Sequence, residues 1–223
     1  MLESPKPFKK NNEIGYSLGE IGLMVKRAAR AEGYHWGHCE EAARAVMFLC
    51  SLGLDGTSSF LQLLQLRLAH NIEQHSPLSL EGVWRGKDGL CPLITASTIC
   101  DHVELLRYSS INIEKMVAPL MMTYMMACIA NKLNSHVTVE CDDGVVVIGK
   151  DKISTIRSQT ALSMRVKISL GGSIHETMQH NERAYIQKDS YAYLQKIAAR
   201  TYAPSGLISS RLSGAGAGLT DND

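Results

Sequence analysis

The chain has 223 residues, of which 45% are hydrophobic and 20% charged, and its formal net charge is +1. That composition excludes disorder throughout, and the length suits one large domain or two small ones with a sizeable core. A pI near 7.7 and the lack of any run of four Lys/Arg leave no electrostatic ground for nucleic-acid binding.

Residues 1–15 (MLESPKPFKKNNEIG) carry Lys6, Lys9 and Lys10 with no apolar run behind them. They read as a flexible leader rather than a secretory signal. From there one α+β domain is expected over 16–223, with a helical part over about 16–134, a sheet part over about 135–188, and a C-terminal helix and tail over 189–223. Ser17–Glu20 (SLGE) has the form of a capping box, followed by a helical stripe at Leu18, Ile21, Val25, Ala28 and Ala29 and a stop at Gly33. A second helix is expected from about His38 to Leu52, with Glu40 and Glu41 in a first turn that favours negative charge. A third, FLQLLQLRLAHNIE, would be capped by Ser58 or Ser59 and end before Pro77.

The stretch SPLSLEGVWRGKDGLCPL reads as loop. Two more helices are expected over about 96–107 and 119–133, with Pro119 suited to a first turn. The longest uncharged run, Met116–Asn131, is too short for a membrane span of about 20 residues. Then the period changes. HVTVEC and VVVIG flank the turn DDG as a hairpin, and LSMRVKISL alternates Leu162, Met164, Val166, Ile168 and Leu170 against Ser163, Arg165, Lys167 and Ser169. RAYIQ reads as a fourth strand, and Asp189 as the cap of a last helix. The fold class is therefore α+β: a helical N-terminal half packed on a small antiparallel sheet, then a C-terminal helix and an ordered tail.

Three places hold candidate chemistry. YHWGHCEEAARA packs His35, His38, Cys39, Glu40 and Glu41 together, but no second ligand pair follows at a metal spacing, so no metal is assigned. Asp101, His102, Glu104 and Tyr108 have the residue types of an acid–base set. Adjacent helical positions diverge, however, and no GxSxG elbow supplies a nucleophile. Arg165 and Lys167 make a polar strand face that reads first as solvated charge and otherwise as the hold for an anionic ligand in a groove over the sheet. The six cysteines form no CxxC pair and read as buried thiols in a cytosolic protein.

SLGEI, KRAARAEG, WGHCEEAARA and the ending RTYAPSGLISSRLSGAGAGLTDND together resemble an uncharacterised bacterial family, a catalogued domain of unknown function. The resemblance implies no activity and transfers no catalytic residue. Trp36, Gly37, Glu40 and Glu41 fit its first motif. Arg200, Thr201, Tyr202, Pro204, Ser210, Arg211 and the GAGAGLTDND ending fit its second, whereas His35 and His38 depart from it. A recurring ending implies a folded-back terminus.

The expectation is a cytoplasmic protein that binds a small charged metabolite, or a catabolic enzyme using carboxylate acid–base chemistry, with no cofactor, nucleic acid or membrane. Catalytic candidates are Glu40, Glu41, Asp221 and Asp223. Ligand-binding candidates are Trp36, Arg44, Arg200, Tyr202, Arg211, Gly214, Gly216 and Gly218. The alternative is a non-catalytic subunit whose C-terminal motif docks to another chain or to a second copy in a homodimer. Its apolar contact surface would be lined by Met116, Met121, Met122, Met125 and Met126.

Overall fold

The computed structural model describes residues 13–65, 74–150, 152–156 and 161–202. It opens with a strand, β1 (Glu13–Ser17), so the expected leader gives up Glu13–Gly15 to paired structure. Helix α1 (Leu18–Ala31) starts at the expected capping box: Glu20 N–H donates to Ser17 Oγ at 3.1 Å, and Ser17 N–H donates to Glu20 Oε2 at 2.8 Å. Ile21, Val25, Ala28 and Ala29 are buried along one side, and Gly33 (φ 92°) makes the left-handed turn that sends the chain back.

Helix α2 (Trp36–Ser51) begins two residues earlier than expected, with His35 as its N-cap. Helix α3 (Gly56–Gln65) is not capped by Ser58 or Ser59. Asp55 takes that role, its Oδ1 accepting from Ser58 N–H (2.9 Å) and Thr57 Oγ1 (2.7 Å). Ser58 and Ser59 lie inside the first turn, and both hydroxyls donate to Asp55, Ser58 Oγ to Oδ2 at 2.6 Å and Ser59 Oγ to the carbonyl at 3.3 Å. Residues 66–73, where the sequence continues this helix, lie outside the described residues.

The middle of the chain departs most from expectation. The expected loop contains β2 (Val83–Trp84), whose Trp84 is buried and donates from Nε1 to Leu80 O at 3.1 Å. The single helix expected over 96–107 is two: α4 (Pro92–Asp101), with Pro92 in its first turn, and the one-turn α5 (Leu105–Tyr108). Strand β3 (Ile111–Val117) was not foreseen, although Ile111 and Ile113 alternate inward against Asn112 and Glu114. A 3-10 turn (Pro119–Met122) leads into α6 (Thr123–Leu133). Met125 packs partly buried against the sheet core, and Met116, Met121, Met122 and Met126 are fully buried, so the methionines form core and not the exposed contact surface expected of a docking subunit. Each fully buried one contributes on the order of 1.5–3 kcal/mol by burial.

The hairpin forms as read, β4 (Val137–Cys141) against β5 (Gly144–Ile148) around Asp142–Asp143. Strand β6 (Leu162–Leu170) is central in a five-stranded sheet of order β2-β3-β6-β4-β5, antiparallel except for the short β2. One face of this sheet packs on α4 and α6, and the other is open. RAYIQ forms β7 (Arg183–Gln187), which pairs with β1 in a separate two-stranded sheet rather than joining the larger one. Helix α7 (Lys188–Ala198) follows, with Gln187 as N-cap and Asp189 inside the first turn, and a 3-10 turn runs over Ala199–Thr201. Buried residues of α1, α2, α3, α7 and β7 make a second core beside that of the sheet. No helix among the described residues is long and apolar enough to cross a membrane.

The alternation of β6 is not continuous. Val166 and Ile168 face the core, but Leu162 and Met164 are exposed and Ser163 is fully buried. The cause lies on two neighbours. Lys115 on β3 takes a left-handed φ of 57°, and the Asp142 carboxylate accepts from Met164 N–H (2.5 Å) and Arg165 N–H (3.3 Å). A side chain thus replaces strand pairing there, and the inward phase shifts by one residue. The same hydrogen bonds, that of Met164 first, with Arg165 beside it, hold the Asp142 carboxyl below its ordinary value.

Candidate functional site

The buried stripe of α1 leaves Leu23, Lys26, Arg27 and Arg30 on the outward side, spaced i, i+3, i+4 and i+7. These four side chains form the floor of a groove of about 330 Å³, and Trp36, Thr201 and Tyr202 form its walls. Trp36, the first residue of α2, is 61% exposed because the Gly33 turn sets it beside α1 rather than in the core. Tyr202, 52% exposed, reaches the groove through the 3-10 turn that ends α7.

The cations are held by the aromatics. The Arg30 guanidinium lies 5.1 Å from the Trp36 ring centre, and Lys26 Nζ lies 5.9 Å from it. The Arg27 guanidinium is 5.2 Å from the Tyr202 ring centre and donates from Nη1 to Tyr202 Oη at 2.7 Å. Arg30 Nη1 also donates to Tyr34 O at 3.1 Å. Each cation–π contact at such an exposed place is worth about 0.5–1 kcal/mol and adds to the hydrogen bonds that Arg27 and Arg30 make. Lys26 pairs with Glu40. Among the described residues no carboxylate pairs with Arg27 or Arg30, so three cations against Glu40 leave the groove at +2.

Arg200 lies behind the groove. Its Nη2 bonds Glu32 Oε1 at 2.8 Å and Ala31 O at 2.7 Å, which clasps the end of α7 to the end of α1 and so positions Tyr202. The groove therefore joins two expected candidates, Trp36 and Tyr202, with Arg200 and Glu40 each one contact away. Glu41 and Arg44 are not brought there. They pair with each other at 3.4 Å on another side of α2, since adjacent helical positions diverge by about 100°. Glu41 lies near the Cys100 thiol, which is pushed up to about 11, first by burial, then by Cys128 and next by Glu41. Arg211, Gly214, Gly216, Gly218, Asp221 and Asp223 lie outside the described residues, as does the expected ordered tail.

The other candidates separate further. His35 caps α2. His38, one turn into α2, is half-buried and its imidazole is held below the ordinary value, chiefly by burial and then by His35. Its Nδ1 has no hydrogen-bond partner among the described residues. No three His, Cys, Asp or Glu side chains among the described residues converge as a metal site. His102 is the C-cap of α4, and Glu104 is taken up by Arg107 at 2.8 Å. Ser51, which the sequence did not single out, meets His180 Nδ1 at 2.9 Å, but it is buried at the end of α2 and its hydroxyl is 2.7 Å from Phe48 O. That is a pin for the 178–181 segment.

A larger concavity of about 800 Å³ lies over the open face of the sheet. It holds Arg85, Arg165 and Lys167, and each has its own carboxylate: Arg85 pairs with Glu114, Arg165 with Asp142 (3.4 Å) and Lys167 with Glu140 (3.0 Å). Its charges sum to zero. The residues that sequence reading missed are thus Leu23, Lys26, Arg27 and Arg30, and their helical spacing opposite the apolar stripe was the available signal.

Fold and groove together define an α+β protein with a cationic, aromatic-walled cleft on its helical half. Residues 16–94 match the family model described as a protein of unknown function (DUF3726), a stretch that holds the groove's floor and Trp36 but not Tyr202. No curated protein and no solved structure matches the chain.

Proposed function

We propose that the protein binds a small anionic metabolite in the α1 groove. The observation that carries the reading is the charge of +2 on ordered guanidinium groups between two exposed aromatic rings. An anion 4 Å from a guanidinium gains about 1 kcal/mol in bulk water and about 4 kcal/mol at an effective dielectric of 20. Two such pairs give at most about 8 kcal/mol, and an association cost of about 4 kcal/mol or more leaves roughly millimolar affinity. The rings shed water from one side of the ligand and keep the arginines in place. If the bound anion is also converted, Glu40, paired with Lys26 of the groove floor, is the carboxylate we assign to proton transfer.

Calorimetric titration of the full chain with a panel of small carboxylates and phosphate tests this directly. The expected result is binding by at least one anion, weakening as salt rises, because the pairs are partly screened. Binding that survives replacement of both Arg27 and Arg30 would remove the groove as its site.

A further inference from the structure

Resting on the reading that the α1 groove holds an anion, the geometry points to a dianion, a dicarboxylate or a phosphate group, gripped by Arg27 and Arg30 together. These two residues are three apart on one helix, so their Cβ atoms stand about 5–6 Å from each other on one face. Their guanidinium groups are turned toward opposite walls, Arg27 to Tyr202 and Arg30 to Trp36. A guanidinium carries five N–H donors. Each of these two spends one Nη1 bond on the protein, Arg27 on Tyr202 Oη and Arg30 on Tyr34 O. Among the described residues nothing else takes the remaining edges, which suit a carboxylate or phosphate oxygen pair in the bidentate manner that lysine cannot reproduce. A single carboxylate satisfies one such edge. Two linked anionic groups, or one phosphate with its oxygens spread, satisfy both while neutralising the groove's charge of +2. Lys26, already neutralised by Glu40, is not needed for the match.

Three probes separate this from simple anion attraction: succinate, its same-length monoanion butyrate, and inorganic phosphate, each titrated calorimetrically into the full chain. The expected result is that succinate or phosphate binds at least about tenfold more tightly than butyrate, the worth of one added charge-assisted contact. In Arg27→Lys that gap should close although the charge is kept. Arg30→Lys gives the same test should the first variant melt at a lower temperature than the parent. A gap smaller than tenfold, or a gap that persists in both lysine variants, overturns the dianion inference while leaving anion binding in place. If none of the three binds, nor any anion of the wider panel, the reading of the groove itself falls.

Discussion

The two concavities of this protein carry the same number of cations and differ in what surrounds them. Over the sheet, Arg85, Arg165 and Lys167 sit on neighbouring strands, where register and the Asp142 turn put a carboxylate opposite or beside each one. On α1, Lys26, Arg27 and Arg30 project from one helix face between elements that bring tryptophan and tyrosine and, among the described residues, a single paired carboxylate. The larger concavity is electrically finished by its own pairs; the smaller one is not. Charge left uncompensated among the described residues, rather than volume, is what sets the α1 groove apart.

Four experiments sharpen or break that contrast. The largest effect is expected beneath the sheet: Ile168→Ala, fully buried, should cost about 2–5 kcal/mol in denaturant unfolding and leave anion affinity unchanged. A shift in affinity as large as that of a groove variant would mean the two regions are not independent. Next, replacing Arg27 and Arg30 together by Met should lower anion affinity at least about tenfold, roughly 1.4 kcal/mol, with little change in melting temperature. Smaller still is the ladder pair. Lys167→Glu and Glu140→Lys should each destabilise slightly, and the double reversal should recover about 0.2–1 kcal/mol of coupling, as exposed cross-strand pairs do. If the double variant shows no coupling, the ladder is only a solvated face.

The smallest effect is a pH dependence confined to the sheet region. Asp142 has a folded-state value below the ordinary 3.8, so its contribution is complete above 3.8 and is lost as pH falls through the lowered value. Asp142→Asn should flatten the acid limb of the melting curve below about pH 4. An unchanged limb would show that other carboxylates govern it.

Much of the architecture was legible. The capping box at Ser17–Glu20, the stripe of α1 and the Asp142–Asp143 hairpin rest on interactions within a few residues, and such interactions are written locally. Strand β3 was missed because its neighbours read as helix, and its two clean alternations end at Lys115. The face of β6 was half misread because Asp142, some twenty residues earlier, determines which way Ser163 and Met164 turn. At the site, Trp36 and Tyr202 were named because their segments stood out, but Lys26, Arg27 and Arg30 passed as an ordinary polar helix face. Solvated charge and binding charge look alike until their partners are known.

The sequence by itself determined the α+β class, the β4–β5 hairpin, the inward stripe of α1 and therefore which cations that helix turns outward, because helical and strand periods are properties of neighbouring residues. Only the tertiary structure decided that Arg200 clasps Glu32 and brings Tyr202 to α1. It alone paired the cations of the sheet while giving Arg27 and Arg30 no carboxylate among the described residues, since compensation of charge is settled by groups distant in the chain and near in space.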